Sequence, residues 1–293
     1  MTGDRIDPAL RLGTVHLAVS DLGRSTDFYE RVIGLPRITA GGEQALLGPQ
    51  PERPLLALTR LHEPTPLPLR AAGLYHIALL HPTRASLADS LVRVASARWP
   101  FTGASDHGVS EALYLDDPDG LGLELYADRA RSEWPEPDGS DPIRMYTLPL
   151  DLDSLVAAAS PGPLAHVAPG TVVGHVHLKV ADLDRAVAFY RDALGLSLQA
   201  HLPSAAFVAA GGYHHHVGLN TWESRGAPPA PDTAPGLRLV ELGLGDASEL
   251  EALEARLTRH GVAEVHRDDS RVAVHDPDGQ ALSFAVQAAV TRA

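Results

Sequence analysis

Val15, Leu17 and Val19 alternate with His16 and Ala18, and this period of two predicts a strand with one face in a core. Asp21 then precedes the stretch Arg24 to Val32, whose pattern predicts a helix, and Gly34 stands where a helix commonly ends. Short apolar runs separated by Gly and Pro follow, as strands joined by tight turns would. The pattern then restarts. GLYHIALL at 73–80 predicts a strand, SLADSLVRVA at 86–95 a helix, and EALYLDDPDGLGLELY at 111–126 a hairpin turning on Asp119-Gly120.

This succession occurs twice. VHLAVSDLGRSTDFYERVIGL at 15–35 returns as VHLKVADLDRAVAFYRDALGL at 176–196, with eleven identities in twenty-one positions. GLRLVELG at 236–243, a helix from Ser248 to Arg259 and RVAVHDPDGQALSFAV at 271–286 answer the second set. The chain therefore reads as four βαβββ modules in two pairs, and the repeat fixes the architecture before any chemistry is considered. The pairs span 1–130 and 173–293. Residues 131–172, rich in Pro, Gly and Asp, read as a linker in which DLDSLVAAA at 151–159 would form a short helix.

Composition acts mainly by exclusion. No apolar run approaches the roughly 18–20 residues that span a bilayer, and MTGDRIDPALRLG lacks the apolar centre of a secretion signal. A cytoplasmic protein without a membrane partner is expected. The absence of cysteine removes disulfides, thiolate metal sites and cysteine nucleophiles. A net charge of −13 without a basic cluster opposes a nucleic-acid partner. A homo-oligomer is compatible with the sequence, which leaves the oligomeric state open.

The VHLAVSDL and VHLKVADL openings, the Phe-Tyr inside the first helix, GLYH and DDPDGLGLELY together resemble the vicinal oxygen chelate superfamily, which includes glyoxalase I, bleomycin-resistance proteins and type I extradiol dioxygenases. SDHGVSEALYLDDPDGLGLELY and GGYHHHVGLNTW are most similar to its catechol 2,3-dioxygenase branch. The resemblance covers nearly the whole chain. It implies an α+β, glyoxalase-like fold in which each pair of modules curls into an incomplete barrel around a metal-binding cleft.

Residues two apart on a strand share a face, so His16, His76 and Glu124 each point away from the apolar neighbours on either side. Ala18, Ala78 and Gly122 nearby leave room for a ligand. Taken singly, a strand histidine is most often a core or surface residue. A carboxylate between leucines is harder to dismiss, because ionising it in a core requires a cation or hydrogen-bonding partners. The resemblance places the family's metal ligands at these three residues. Two imidazoles and one carboxylate would occupy one face of the ion and leave other positions open. Fe(II) is the leading ion, and Mn(II) suits the same ligands.

By the same resemblance, Tyr114 would hydrogen-bond a substrate hydroxyl, and His107 is a candidate acid or base near neutral pH. Their plain alternatives are a packed aromatic residue and a solvated loop histidine. In the second half His177 matches His16, but Leu239 replaces His76 and Ser283 replaces Glu124. His214 and His216, which would share a strand face, and Glu241 could form a different site with His177. The working cleft is thus expected in the N-terminal half.

The implied activity is metal-dependent extradiol cleavage of a catechol-type diol by O2. A glyoxalase-like isomerase or lyase is the enzymatic alternative. Glyoxalase-type sites use a fourth protein ligand on the last strand of the first module, and PLLALTRL at 54–61 offers no acid or histidine. A non-catalytic drug-binding protein is the third reading, against which the metal triad speaks.

Overall fold

The computed structural model describes residues 4–287 except 138, 140 and 163. The first module comprises β1 (Arg11–Val19), α1 (Leu22–Phe28), β2 (Arg37–Gly41), β3 (Gln44–Leu47) and β4 (Leu56–Arg60). The second comprises β5 (Gly73–Leu80), α2 (Arg84–Ser96), β6 (Gly103–Asp106), β7 (Ser110–Asp116) and β8 (Gly122–Asp128). Between the halves lie β9 (Leu148–Pro149) and α3 (Leu152–Val156). The third module comprises β10 (Val172–Lys179), α4 (Leu183–Ala188), β11 (Ser197–Leu202), β12 (Ala205–Ala209) and β13 (Val217–Asn220). The fourth comprises β14 (Gly236–Leu244), α5 (Ala247–Arg259), β15 (His266–Arg267), β16 (Arg271–His275) and β17 (Ala281–Val286). Among the described residues, no helix is long and apolar enough to cross a membrane.

The modules pair into two curled sheets, but not as sequential halves. One sheet runs β11-β12-β13-β10-β5-β8-β7-β6-β9 and joins modules two and three; the other runs β15-β16-β17-β14-β1-β4-β3-β2 and joins modules four and one. The expectation that each half closes its own barrel is thereby corrected. The physical reason is the choice of edge: the opening strand of each module pairs antiparallel with that of a module in the other half, β5 with β10 and β1 with β14. Val15, Leu17, Ile77, Leu79, Val176, Leu178, Val240 and Leu242 on these strands belong to one apolar core with Leu87 of α2 and Leu253 of α5. The polar residues alternating with them line a cleft on the other face of each sheet.

The repeated Asp-Leu-x-Arg and Phe-Tyr sequences tie modules together within each half. Asp21 and Asp182 cap α1 and α4 by accepting from the Arg24 and Arg185 backbone N–H groups. Both helices then widen into a π-helical turn, Tyr29–Ile33 and Phe189–Ala193, so the helix predicted over Arg24 to Val32 is formed with its last turn wider than an α-helix. Tyr29 donates to Asp117 at 3.1 Å and Tyr190 to Asp276 at 3.0 Å, each reaching the hairpin turn of the next module. Arg24 pairs with Asp119 in the first turn, and Arg185 with Asp278 at 2.6 Å in the second.

Burial pushes the Asp117 and Asp276 carboxyls up to about 6, despite the backbone and tyrosine hydrogen bonds that favour ionisation. A raised folded value means a contribution to stability that is full below the unfolded value and lost as pH rises through the folded one. Asp117→Asn cannot ionise. Wild-type stability relative to this variant is expected to fall, by on the order of 2–3 kcal/mol, as pH rises from roughly 4 to above 6, read by urea unfolding. A pH-independent difference would contradict the assignment.

Candidate metal centre

Three adjacent strands build the site around one small residue. Ala78 on β5 lies opposite His175 of β10 on one side and Glu124 of β8 on the other. Its methyl group leaves the two longer side chains free to meet above it, and His76 joins them two residues along β5. His76 Nε2 lies 2.9 Å from Glu124 Oε2, His175 Nε2 lies 3.2 Å from the same oxygen, and the two Nε2 atoms are 3.3 Å apart. All three residues are buried. Among the described residues they form the one group of three His, Cys, Asp or Glu side chains whose donor atoms lie within 4.8 Å of one another.

This triangle fits a metal ion. Neighbouring ligands on an octahedral ion with bonds of ~2.1 Å are separated by about 3 Å, near the spacing of these three atoms. Burial opposes ionisation of Glu124, but the His175 and His76 imidazoles outweigh it and hold the carboxyl well below its usual value. Burial also pushes His175 down to about 4, only partly offset by Glu124, so its imidazole is neutral near pH 7, the charge state a metal ligand requires.

Glycines on two sides make the geometry feasible. A Cβ at Gly122 would run into the Tyr75 carbonyl and His76 Cβ, and one at Gly174 into the Tyr126 hydroxyl behind His175. The β5–β10 register steps between His177↔His76 and Leu178↔Leu74, a bulge at Tyr75. The expected alternation therefore fails at that residue. The Tyr75 ring lies 5.1 Å from His177 and 5.2 Å from Trp222, and His177 in turn lies 5.8 Å from Phe207, forming an aromatic wall beside the donors. Within this wall His177 Nε2 is buried without a partner.

Tyr114 pairs in register with Glu124, and its ring centroid is 5.8 Å from that of His76. Its hydroxyl is 2.7 Å from His107 Nε2. His107 Nδ1 is 2.8 Å from the Tyr146 carbonyl, which can only accept, so Nδ1 carries the proton and Nε2 accepts from Tyr114. Burial, followed by Glu124, pushes the Tyr114 phenol well above its usual value. On the other side, the His215 ring lies 4.0 Å from that of His175.

A family model described as Glyoxalase/Bleomycin resistance protein/Dioxygenase superfamily matches residues 11–125 and 172–284. A catechol-2,3-dioxygenase of Bacillus subtilis (strain 168) is 39% identical over 279 residues, covering 94% of this chain and 97% of that protein. The chain belongs to this superfamily. Its fold is shared by a solved putative dioxygenase from Bacillus subtilis subsp. subtilis str. 168, with a TM-score of 0.63, 14% identity and coverage of 97% of this chain and 86% of that one. Glyoxalase I from Zea mays is similar in fold at a TM-score of 0.58, with 19% identity and coverage of 95% and 92%.

Within this glyoxalase-type scaffold the structure brings together four of the five residues singled out by sequence: His76, Glu124, Tyr114 and His107. His16 lies in the other sheet, where its Nε2 is 3.0 Å from Glu241 Oε1. The third donor beside His76 and Glu124 is His175. The identity of VHL in both halves aligned His16 with His177, but the donor stands two residues earlier, where the first half has Thr14 and the second His175. That difference was the available signal.

The other expected grouping also separates. His214 Nε2 bonds Asp128 at 2.9 Å, His216 Nδ1 accepts from the Ala210 N–H at 3.1 Å, and Glu241 pairs with His16. The last strand flanking the donor cleft is β13, not β4, and its sequence Val217–Asn220 likewise offers no acid or histidine. His175→Ala is expected to lower bound Mn(II) at least tenfold in equilibrium titrations, whereas His16→Ala should leave binding within about twofold of wild type. Equal losses in both would contradict the cluster.

Proposed function

We propose that this chain is a metal-dependent extradiol dioxygenase that opens a catechol-type aromatic diol with O2, using His76, Glu124 and His175 as metal ligands. The buried cluster of two imidazoles and one carboxylate, with no acid or histidine on β13, carries the reading. Fe(II) is the proposed ion and Mn(II) the alternative, because a nitrogen- and oxygen-rich site suits both. When bound, such an ion supplies a common centre for the diol and O2 and a route for electron density between them.

The surrounding residues perform the remaining tasks. The wall of Tyr75, His177, Phe207 and Trp222 offers flat apolar faces to an aromatic ring. Tyr114, kept protonated, orients a diol oxygen, and His107 Nε2 holds the far end of that hydroxyl ready to receive its proton. His215, on the opposite side of the donors, is the second group able to exchange a proton with reactants. The 39% identity to the Bacillus catechol-2,3-dioxygenase favours this reaction over isomerase chemistry on the same fold.

Anaerobic loading with ferrous iron, followed by oxygen and a panel of catechols, tests the reading. Equimolar uptake of O2 and diol with a yellow ring-opened product is expected, and Tyr114→Phe should lower kcat roughly 100-fold at unchanged metal content. Full metal loading with no oxygen uptake on any diol would refute it. Turnover of a hemithioacetal would then favour the isomerase.

A further inference from the structure

A cavity of about 340 Å³ lies where the second, third and fourth modules meet, and none of the three metal donors lines it. The segments that lead into β5 and β14 supply part of its wall. They are fastened to each other through the backbone: the Thr65 N–H donates to the Thr233 carbonyl at 2.9 Å, the Ala72 N–H to the Pro228 carbonyl at 2.9 Å, and the Ala230 N–H to the Ala72 carbonyl at 3.0 Å. The cavity is thus built into the fold, and its volume suits a small organic molecule.

Leu67, Ala71, Leu74, Leu121 and Leu237 make much of the wall apolar, yet two cations, Lys179 and Arg238, also line it. The Lys179 side chain is only 11% exposed, and its one ion-pair partner among the described residues, Glu223, stands at 3.7 Å, too far for a hydrogen bond. Arg238 donates to the Leu237, Asp232 and Ala234 carbonyls, which leaves two of its five N–H donors uncommitted and its charge without a carboxylate. Burial lowers this guanidinium from its usual value, only partly offset by Asp232. The acids of the wall do not neutralise the two cations. Asp278 is taken by Arg185 at 2.6 Å and by the Ala181 N–H at 3.1 Å, and the exposed Asp232 makes no ion pair with Arg238.

Holding a cation among apolar groups without a close counter-ion costs free energy that an apolar side chain would not. The repeat shows that the fold requires neither charge: β1 carries Ala18 at the position of Lys179, and β5 carries Tyr75 at that of Arg238. An anion is the partner both lack. We propose that this cavity binds a small organic carboxylate, whose charged end pairs with Lys179 and Arg238 and whose apolar body lies against Leu74, Leu121 and Leu237. The apolar wall disfavours an inorganic anion, which would lose its hydration there without gaining enough polar contacts. The site stands apart from the metal cluster and does not depend on the reaction carried out there.

The test is titration of the full chain with para-fluorobenzoate followed by fluorine NMR, with and without Zn(II) in the metal cluster. Saturable binding with a dissociation constant of roughly 5 mM or below is expected, equal in both metal states, with ring-proton cross-peaks to the Leu121 and Leu237 methyl groups. Lys179→Met, which removes an ammonium that makes no hydrogen bond, should weaken binding roughly tenfold, and Lys179→Arg should stay within about threefold of wild type. Para-fluorobenzyl alcohol, which keeps the ring without the charge, should bind at least about tenfold more weakly, and equimolar inorganic phosphate should not displace the carboxylate. The cross-peaks locate the ligand in wild type even where a variant fails to fold. Absence of saturation, cross-peaks to the Tyr75, Phe207 and Trp222 rings instead, Lys179→Met binding like wild type, equal binding of the alcohol, or displacement by phosphate would each overturn the proposal.

Discussion

Antiparallel pairing of β5 with β10 is the constraint on which the donor cluster depends. It sets His175 opposite Ala78, while the parallel pairing of β8 on the other edge sets Glu124 opposite the same residue. Side chains on one face alternate with a period of two. A slip of one residue would therefore turn His175 into the apolar core and bring Val176 to the cleft. Because β5 and β10 come from different halves of the sequence, neither half holds all three donors. Formation of the cluster is thus coupled to closure of the whole fold.

The four modules form a ring of two kinds of contact. Tyrosine–aspartate bonds at 3.1 and 3.0 Å join module one to two and three to four, and strand pairing joins two to three and four to one. The ring gives two clefts on equivalent scaffolds with different floors. In the second, Glu241 lies opposite Ser283 as Ala78 lies opposite Glu124 in the first. A carboxylate occupies the place of the methyl group, and it is already engaged by His16 at 3.0 Å. Leu239 stands across from His16 where His76 stands across from His177. One copy of the repeat thus keeps an open floor between donors, while the other fills that floor with its own ion pair.

Much of this was legible in the sequence because local alternation and the repeat encode it. The four modules, the hairpins on the Asp-rich turns and the inward faces of His76 and Glu124 all follow from patterns within a single element. The partnering of modules does not, since pairing of distant edges leaves no local trace. His175 was hidden for a different reason: the repeat was aligned on its identities, whereas the informative position is the non-identity of Thr14 and His175. Strand alternation predicts one face for His214 and His216, but β13 begins only at Val217. The preceding turn instead brings His214 and His215 into contact and sends His216 to the Ala210 backbone. Tyr75 departed from its expected face because a bulge broke the period.

The most direct measurement is anomalous X-ray diffraction from crystals of the protein loaded anaerobically with ferrous iron. The expected result is a single strong peak bonded at ~2.1 Å to His76 Nε2, His175 Nε2 and a Glu124 oxygen. A peak between His16 and Glu241, or none at the His76–Glu124–His175 cluster in fully loaded protein, would contradict the account.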